Sequence, residues 1–156
     1  MINDAGPMIY DFLKIAEIAG IKSSYSEIQH DLWKIPQKLK NLPDNYQAVY
    51  IFSAPLLDNK VIKIGKCGPL SKARYLSQHY NPQSCGSNLS KTLLQNDEFW
   101  DSIHLVKPEE NFIGEWVKRN TDRDNFIFSE NLGSHYLSLF EIFLQCRYNP
   151  IFEGGS

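Results

Sequence analysis

The stretch QAVYIFS (47–53) is short, β-branched and aromatic, and KVIKIGK (60–66) has the same texture after a loop carrying the turn dipeptide Asp58-Asn59. Two such runs this close together read as a β-hairpin, and a lone hairpin is not stable until another element covers one of its faces. The rest of the chain has the material for that cover. Hydrophobic residues make up 42% of the sequence and aromatics 13%, which argues against disorder. A length of 156 residues fits one domain with room for an appendage.

Helical patterns flank the hairpin. Ile9, Phe12, Leu13, Ala16 and Ala19 recur at helical spacing, and Gly20 supplies a stop. A second helix is expected after Ser24 or Ser26, carrying Ile28, Leu32 and Ile35 as far as Pro36. Leu42-Pro43-Asp44-Asn45 marks a turn. Residues 1–44 therefore read as a helical N-terminal extension, and 45–156 as the main domain. Downstream, 68–80 reads as a helix that Ser71 could cap, 81–88 as a polar loop, and 89–95 and 113–120 as helices. The runs 100–106 and 125–131 read as strands, and 134–148 is the clearest helix. The expected fold is α/β in the α+β sense: a small, mostly antiparallel sheet of three strands flanked by helices.

Charge is distributed unevenly. Lys60, Lys63, Lys66, Lys72, Arg74 and Lys91 lie in an interval without Asp or Glu, which leaves ten bases against eighteen acids elsewhere. A formal net charge of −2 argues against coating nucleic acid by bulk charge, but a local positive field suits docking of a phosphate. The bland alternative is a solvated helix face. Cys67, Cys85 and Cys146 form no CxxC pair, and an odd count without a basic, apolar leader fits a cytoplasmic chain. No apolar run reaches the roughly 20 residues of a membrane helix, so no membrane partner is expected.

Three positions stand out chemically. Lys63 sits inside an apolar strand, where it either snorkels at an edge or faces the same cleft as Tyr50 and lowers that phenol's pKa. A tyrosine beside a cation can act as a general base. Gly65 permits close approach of another backbone or a ligand. Strand alternation places Val61, Lys63 and Gly65 on one face and Ile62, Ile64 and Lys66 on the other. Glu141 is flanked by Tyr136, Leu137, Leu139, Phe140, Ile142, Phe143 and Leu144. A carboxylate in such surroundings needs a lysine, an arginine or a metal.

Ala48-Val49-Tyr50 followed by Lys63-Ile64-Gly65, then Arg74, Glu141 and Asn149 in order, resembles the signature of the GIY-YIG nuclease family over about residues 46–153. The Lys-Ile-Gly form is similar to that of a phage and bacterial subgroup, and FEIFLQCRYNPIFEG resembles the late segment of restriction-type members. The resemblance implies a DNA endonuclease that uses Mg²⁺ (or Mn²⁺). Tyr50 would activate the attacking water, helped by Lys63 or His79. Arg74 would bind the scissile phosphate and Glu141 would hold the metal. Lys66, Lys72, Lys91 and Asn149 would contact nucleic acid.

The sequence also departs from that pattern. Lys63 replaces a tyrosine, and His79 lies five residues after Arg74, off the i, i+4 helical face. A capping or surface role for His79 and a turn role for Asn149 before Pro150 stay open. A noncatalytic nucleic-acid-binding module of the same fold is the alternative function, and an interaction protein that forms a homodimer through residues 1–44 is a third. Cys67 beside Lys66 reads more simply as a small strand-end residue than as a reactive thiol. Trp33, Trp100 and Trp116 read as core or interface residues.

Overall fold

A computed structural model describes residues 1–152, so the last residues of the 45–156 segment lie outside the described part. The elements run α1 (Ala5–Ile18), β1 (Gln29–Trp33), β2 (Tyr46–Ala54), β3 (Lys60–Cys67), α2 (Lys72–Leu76), α3 (Leu89–Leu94), α4 (Asp97–Ser102), α5 (Ile113–Asn120), β4 (Asp122–Ser129) and α6 (Gly133–Tyr148). The class is α+β, and the sheet is antiparallel with strand order β1-β4-β2-β3.

The hairpin forms as β2 and β3, and Asp58 and Asn59 turn it with φ of 54° and 59°. β2 is a central strand with eight of its nine residues buried, so it reads as one apolar run rather than an alternation. Its Tyr50 and Phe52 face a layer made from α2 to α5, with Tyr75, Leu89, Leu93, Trp100 and Val117 in the same cluster. Val49 and Ile51 face the opposite layer, where Phe12 of α1 and Tyr136 and Phe140 of α6 close over them. Phe12 and Phe140 stack at 4.1 Å. No helix among the described residues is long and apolar enough to cross a membrane.

Four expectations change. The sheet has four strands, not three, because residues 29–33 form β1 in place of the expected second helix. The helical reading needed Ile28, Leu32 and Ile35 on one buried face. Instead Ile28 packs with α1, Trp33 enters the other layer and Ile35 is exposed. Pairing of Gln29–Trp33 with Arg123–Ile127 satisfies the backbone, so long-range pairing overrides the local helical spacing. Residues 1–44 thus contribute both a helix and an edge strand to the common core.

The second change is at 97–102, where a helix takes the first three residues of the strand expected over 100–106, and the rest is turn and loop. Asn96 caps the helix by accepting the Phe99 amide at 3.0 Å, and Asp97 and Glu98 occupy the favourable first turn. The third is at 68–80, where α2 stops at Leu76 and a separate 3-10 turn covers Gln78–Tyr80. The fourth is in β3. Ser53 pairs with Val61 and Phe52 with Lys63, so Ile62 is an extra residue in a bulge. The bulge moves Val61 to the face of Ile64 and leaves Lys63 on the face of Tyr50 and Gly65.

Candidate active site

Tyr50 is fully buried at the middle of β2, opposite Gly65 of β3. Its phenol lies directly over that glycine: a Cβ on Gly65 would stand 2.7 Å from Tyr50 Oη. The close approach that Gly65 permits is therefore by the Tyr50 side chain.

Two N–H groups converge on Tyr50 Oη. Arg74 Nε donates to it at 3.2 Å from the last turn of α2. His79 Nε2 stands 2.6 Å away. A continuous helix would aim His79 away from the Arg74 face; the break after Leu76 and the tighter 3-10 turn bring it in. His79 is completely buried, and its Nδ1 accepts the Leu89 amide at 3.1 Å. Burial, then the charges of Arg123, Lys63 and Arg74, hold its pKa well below the usual histidine value, so the ring is neutral. With Nδ1 occupied as an acceptor, the proton sits on Nε2 and is donated to Tyr50. Burial pushes the Tyr50 phenol up to about 12 even though Arg74 and Arg123 pull it down.

Lys63 is 1% exposed, and its ammonium donates to Ser87 Oγ at 3.1 Å in the 81–88 loop. It does not snorkel. Burial and then the Arg74 charge lower its pKa, against the pull of Glu141. Burial works against the charge on Arg74, but Tyr50 and then Glu141 outweigh it and raise the pKa. Glu141 comes from α6 in the opposite layer, and its charge reaches Lys63 and Arg74 across the edge strand β3. Tyr50, Lys63, Arg74, His79 and Glu141 therefore gather in one neighbourhood.

Glu141 also has a partner. Lys66 Nζ lies 2.8 Å from its Oε2 and donates to Ser138 Oγ at 3.0 Å. The Glu141 side chain is 15% exposed. Its other oxygen is the one left for a second cation. Among the described residues no three His, Cys, Asp or Glu side chains form a metal cage. A single carboxylate holds a hard cation such as Mg²⁺ only where water or substrate oxygens fill its remaining positions.

The outer positions are mixed. Lys72 forms an exposed ion pair with Asp44. Lys91 is exposed on α3, and its amide donates to the Asn88 cap at 2.8 Å. Asn149 ends α6 in a left-handed conformation, φ 43°, with its amide on the Gln145 carbonyl at 2.9 Å. From there Ile151 and Phe152 bond the carbonyls of Val61 and Ile62 along β3. Cys67 ends β3, and burial raises its thiol to about 11, which makes it inert.

Sequence reasoning missed Arg123, which is fully buried in β4 with its guanidinium 4.4 Å from the Tyr50 ring centroid. The signal was its two-residue phase with Asn125 and Ile127 on the face that meets Tyr50; reading the strand only from Asn125 hid it. A cavity of about 760 Å³ lies on the far side of Tyr80, lined by Glu109, Glu110, Glu115 and Lys118 among others. Its carboxylates would repel phosphate, and none of the converging side chains lines it. Compared with protein-family models, curated proteins and solved structures, the chain matches none.

Proposed function

We propose that the chain is a Mg²⁺-dependent DNA endonuclease that hydrolyses a phosphodiester at Tyr50. The observation that carries this reading is the Tyr50 phenol oxygen receiving N–H groups from both Arg74 and His79, with Lys63 and Arg123 as further cations. Three buried or half-buried cations surround a neutral acceptor, and Lys66 already occupies Oε2 of Glu141. The unmatched charge calls for an anion, and a phosphate supplies it.

Arg74 would turn its free guanidinium nitrogens to the scissile phosphate and stabilise the charge that grows on it. Once the phenol proton has passed to solvent water, the two N–H donors hold the phenolate, and Oη takes a proton from the attacking water. His79, already a donor at Nε2, positions that oxygen rather than accepting its proton. Lys63, the other helper, acts through its charge: its ammonium, which donates to Ser87 Oγ, favours the ionised phenol. A Mg²⁺ on Glu141 would supply Lewis acidity to the phosphate and the leaving oxygen. Lys72, released from Asp44, and Lys91, both exposed, would contact the flanking backbone.

One observation favours the noncatalytic nucleic-acid-binding module instead. Tyr50 is fully buried, and a base must meet its water. The experiment is conversion of supercoiled plasmid to nicked or linear forms, with Mg²⁺ or with chelator, by the parent, Glu141→Gln and Tyr50→Phe chains. Metal-dependent cutting lost in both variants supports the enzyme. Salt-sensitive binding without cutting of varied plasmids supports the module.

A further inference from the structure

We propose that Arg123 is a positioning residue of the Tyr50 site: a caged cation beneath the phenol that favours its ionised form and keeps His79 an uncharged donor. The inference rests on the Tyr50-centred reading above and asks what a buried guanidinium does there.

Arg123 sits inside an aromatic cage. Its guanidinium carbon lies 4.4 Å from the Tyr50 ring centroid, 4.5 Å from Trp33, 4.8 Å from Tyr75 and 5.1 Å from Phe52. Nη1 donates to the Tyr75 carbonyl at 2.8 Å and to Tyr80 Oη at 3.3 Å. Nε and Nη2 have no hydrogen-bond partner among the described residues. Among the described residues its partners are neutral oxygens and ring faces, none of them a carboxylate. Buried charges normally find a counter-charge. Here ring quadrupoles hold the guanidinium without cancelling its charge, so the field acts on whatever nearby group can ionise.

The groups around Tyr50 show which ones respond. Lys63 and Cys67 approach from β3, Arg74 and Tyr75 from α2, His79 and Tyr80 from the 3-10 turn, and Arg123 from β4. Glu141 acts on Lys63 and Arg74 from α6. Arg74 and Arg123 both favour a Tyr50 phenolate. Arg74 is half-buried and is the one a phosphate would recruit; Arg123 is sealed in. When phosphate takes the Arg74 charge, Arg123 continues to act on the phenol. The same residue ties the site together, since its contacts reach β1 through Trp33, α2 through the Tyr75 carbonyl and the His79 turn through Tyr80.

Direction separates an electrostatic role from a merely structural one. If Arg123 only props the cage, its loss admits water and lowers the Tyr50 midpoint. If its charge acts on the phenol, its loss raises that midpoint. The full chain would carry 3-fluorotyrosine in place of Tyr50, and ¹⁹F NMR would follow ionisation against pH without nucleic acid. In Arg123→Met the ionisation constant is expected to fall about tenfold, one pH unit. The His79 midpoint, read from its ring carbons, is expected to rise. Arg123→Lys, which keeps the charge, should hold the parent phenol midpoint. If Arg123→Met does not fold, Arg123→Gln retains a donor for the Tyr75 carbonyl and is read the same way. An unchanged or lowered phenol midpoint in the folded neutral variant overturns the proposal, as does an Arg123→Lys midpoint raised as far as that of the neutral variant. Because no cutting is measured, a raised midpoint in a chain that cleaves nothing would refute the nuclease and leave this inference standing.

Discussion

Tyr50 Oη lies 2.6 Å from His79 Nε2, and the Leu89 amide on Nδ1 makes the histidine the donor. The pair is thus a phenol oxygen held by a neutral imidazole. Tyr50→Phe removes the acceptor and leaves a buried N–H unpaired, at a cost of about 1–3 kcal/mol. Urea denaturation should show that loss, while plasmid cutting should disappear. Full cutting by a folded Tyr50→Phe chain would remove Tyr50 from the chemistry.

The buried, neutral His79 should leave a mark on stability against pH. Its folded pKa is depressed, whereas in the unfolded chain it titrates near 6.5. Above that value both states are neutral and its contribution is complete. As pH falls below about 6.5 the unfolded chain binds a proton that the folded chain refuses, so stability drops by up to about 1.4 kcal/mol per pH unit until the folded pKa is reached. His79→Gln should remove that part of the slope. Urea midpoints for both chains, from about pH 8 to about pH 5, decide it.

Gly65→Ala tests the contact that sets the phenol's position. The added methyl would meet Tyr50 Oη at 2.7 Å, and the ring has β3 on one side and His79 on the other. Overpacking of this kind costs about 1–3 kcal/mol. The thermal midpoint should fall, and cutting should fall further than the lost fraction of folded protein explains. A variant with the parent's thermal midpoint would mean that the ring moves freely.

Glu141 and Lys66 separate ion pairing from metal binding. The pair is partly exposed on the lysine side, 37%, so its loss should cost about 1 kcal/mol or less. Lys66→Met frees Oε2, and half-maximal cutting should then need less Mg²⁺ than in the parent. Glu141→Gln should abolish cutting at any Mg²⁺ concentration. A Mg²⁺ titration of both variants checks the contrast, and equal losses in the two would make the pair structural.

Lys63 offers a further separation. Replacing an unpaired buried cation by an apolar side chain of similar length is often neutral or stabilising. Lys63→Met should therefore fold at least as well as the parent by urea denaturation while losing cutting. A destabilised variant would show that the Ser87 hydrogen bond, at 3.1 Å, holds the 81–88 loop in place.

The amino-acid sequence by itself determined the elements whose residues carry their own pattern. QAVYIFS and KVIKIGK make the hairpin, helical spacing makes α1 and α6, and the alternation in β3 together with Gly65 points to Tyr50. These depend on short-range periodicity and turn chemistry, which a few consecutive residues encode. Tertiary structure decided the rest. Residues 29–33 become a strand because β4, about ninety residues later, offers an edge. His79 reaches Tyr50 because α2 stops at Leu76, and the start of α3 fixes its ring. The bulge at Ile62, invisible to strict alternation, moves Val61 to the face of Ile64. Glu141 meets Lys66 from another layer, and Arg123 is caged by rings from β1, β2 and α2. Charge state, tautomer and burial are properties of surroundings assembled from distant parts of the chain, and no local stretch contains them.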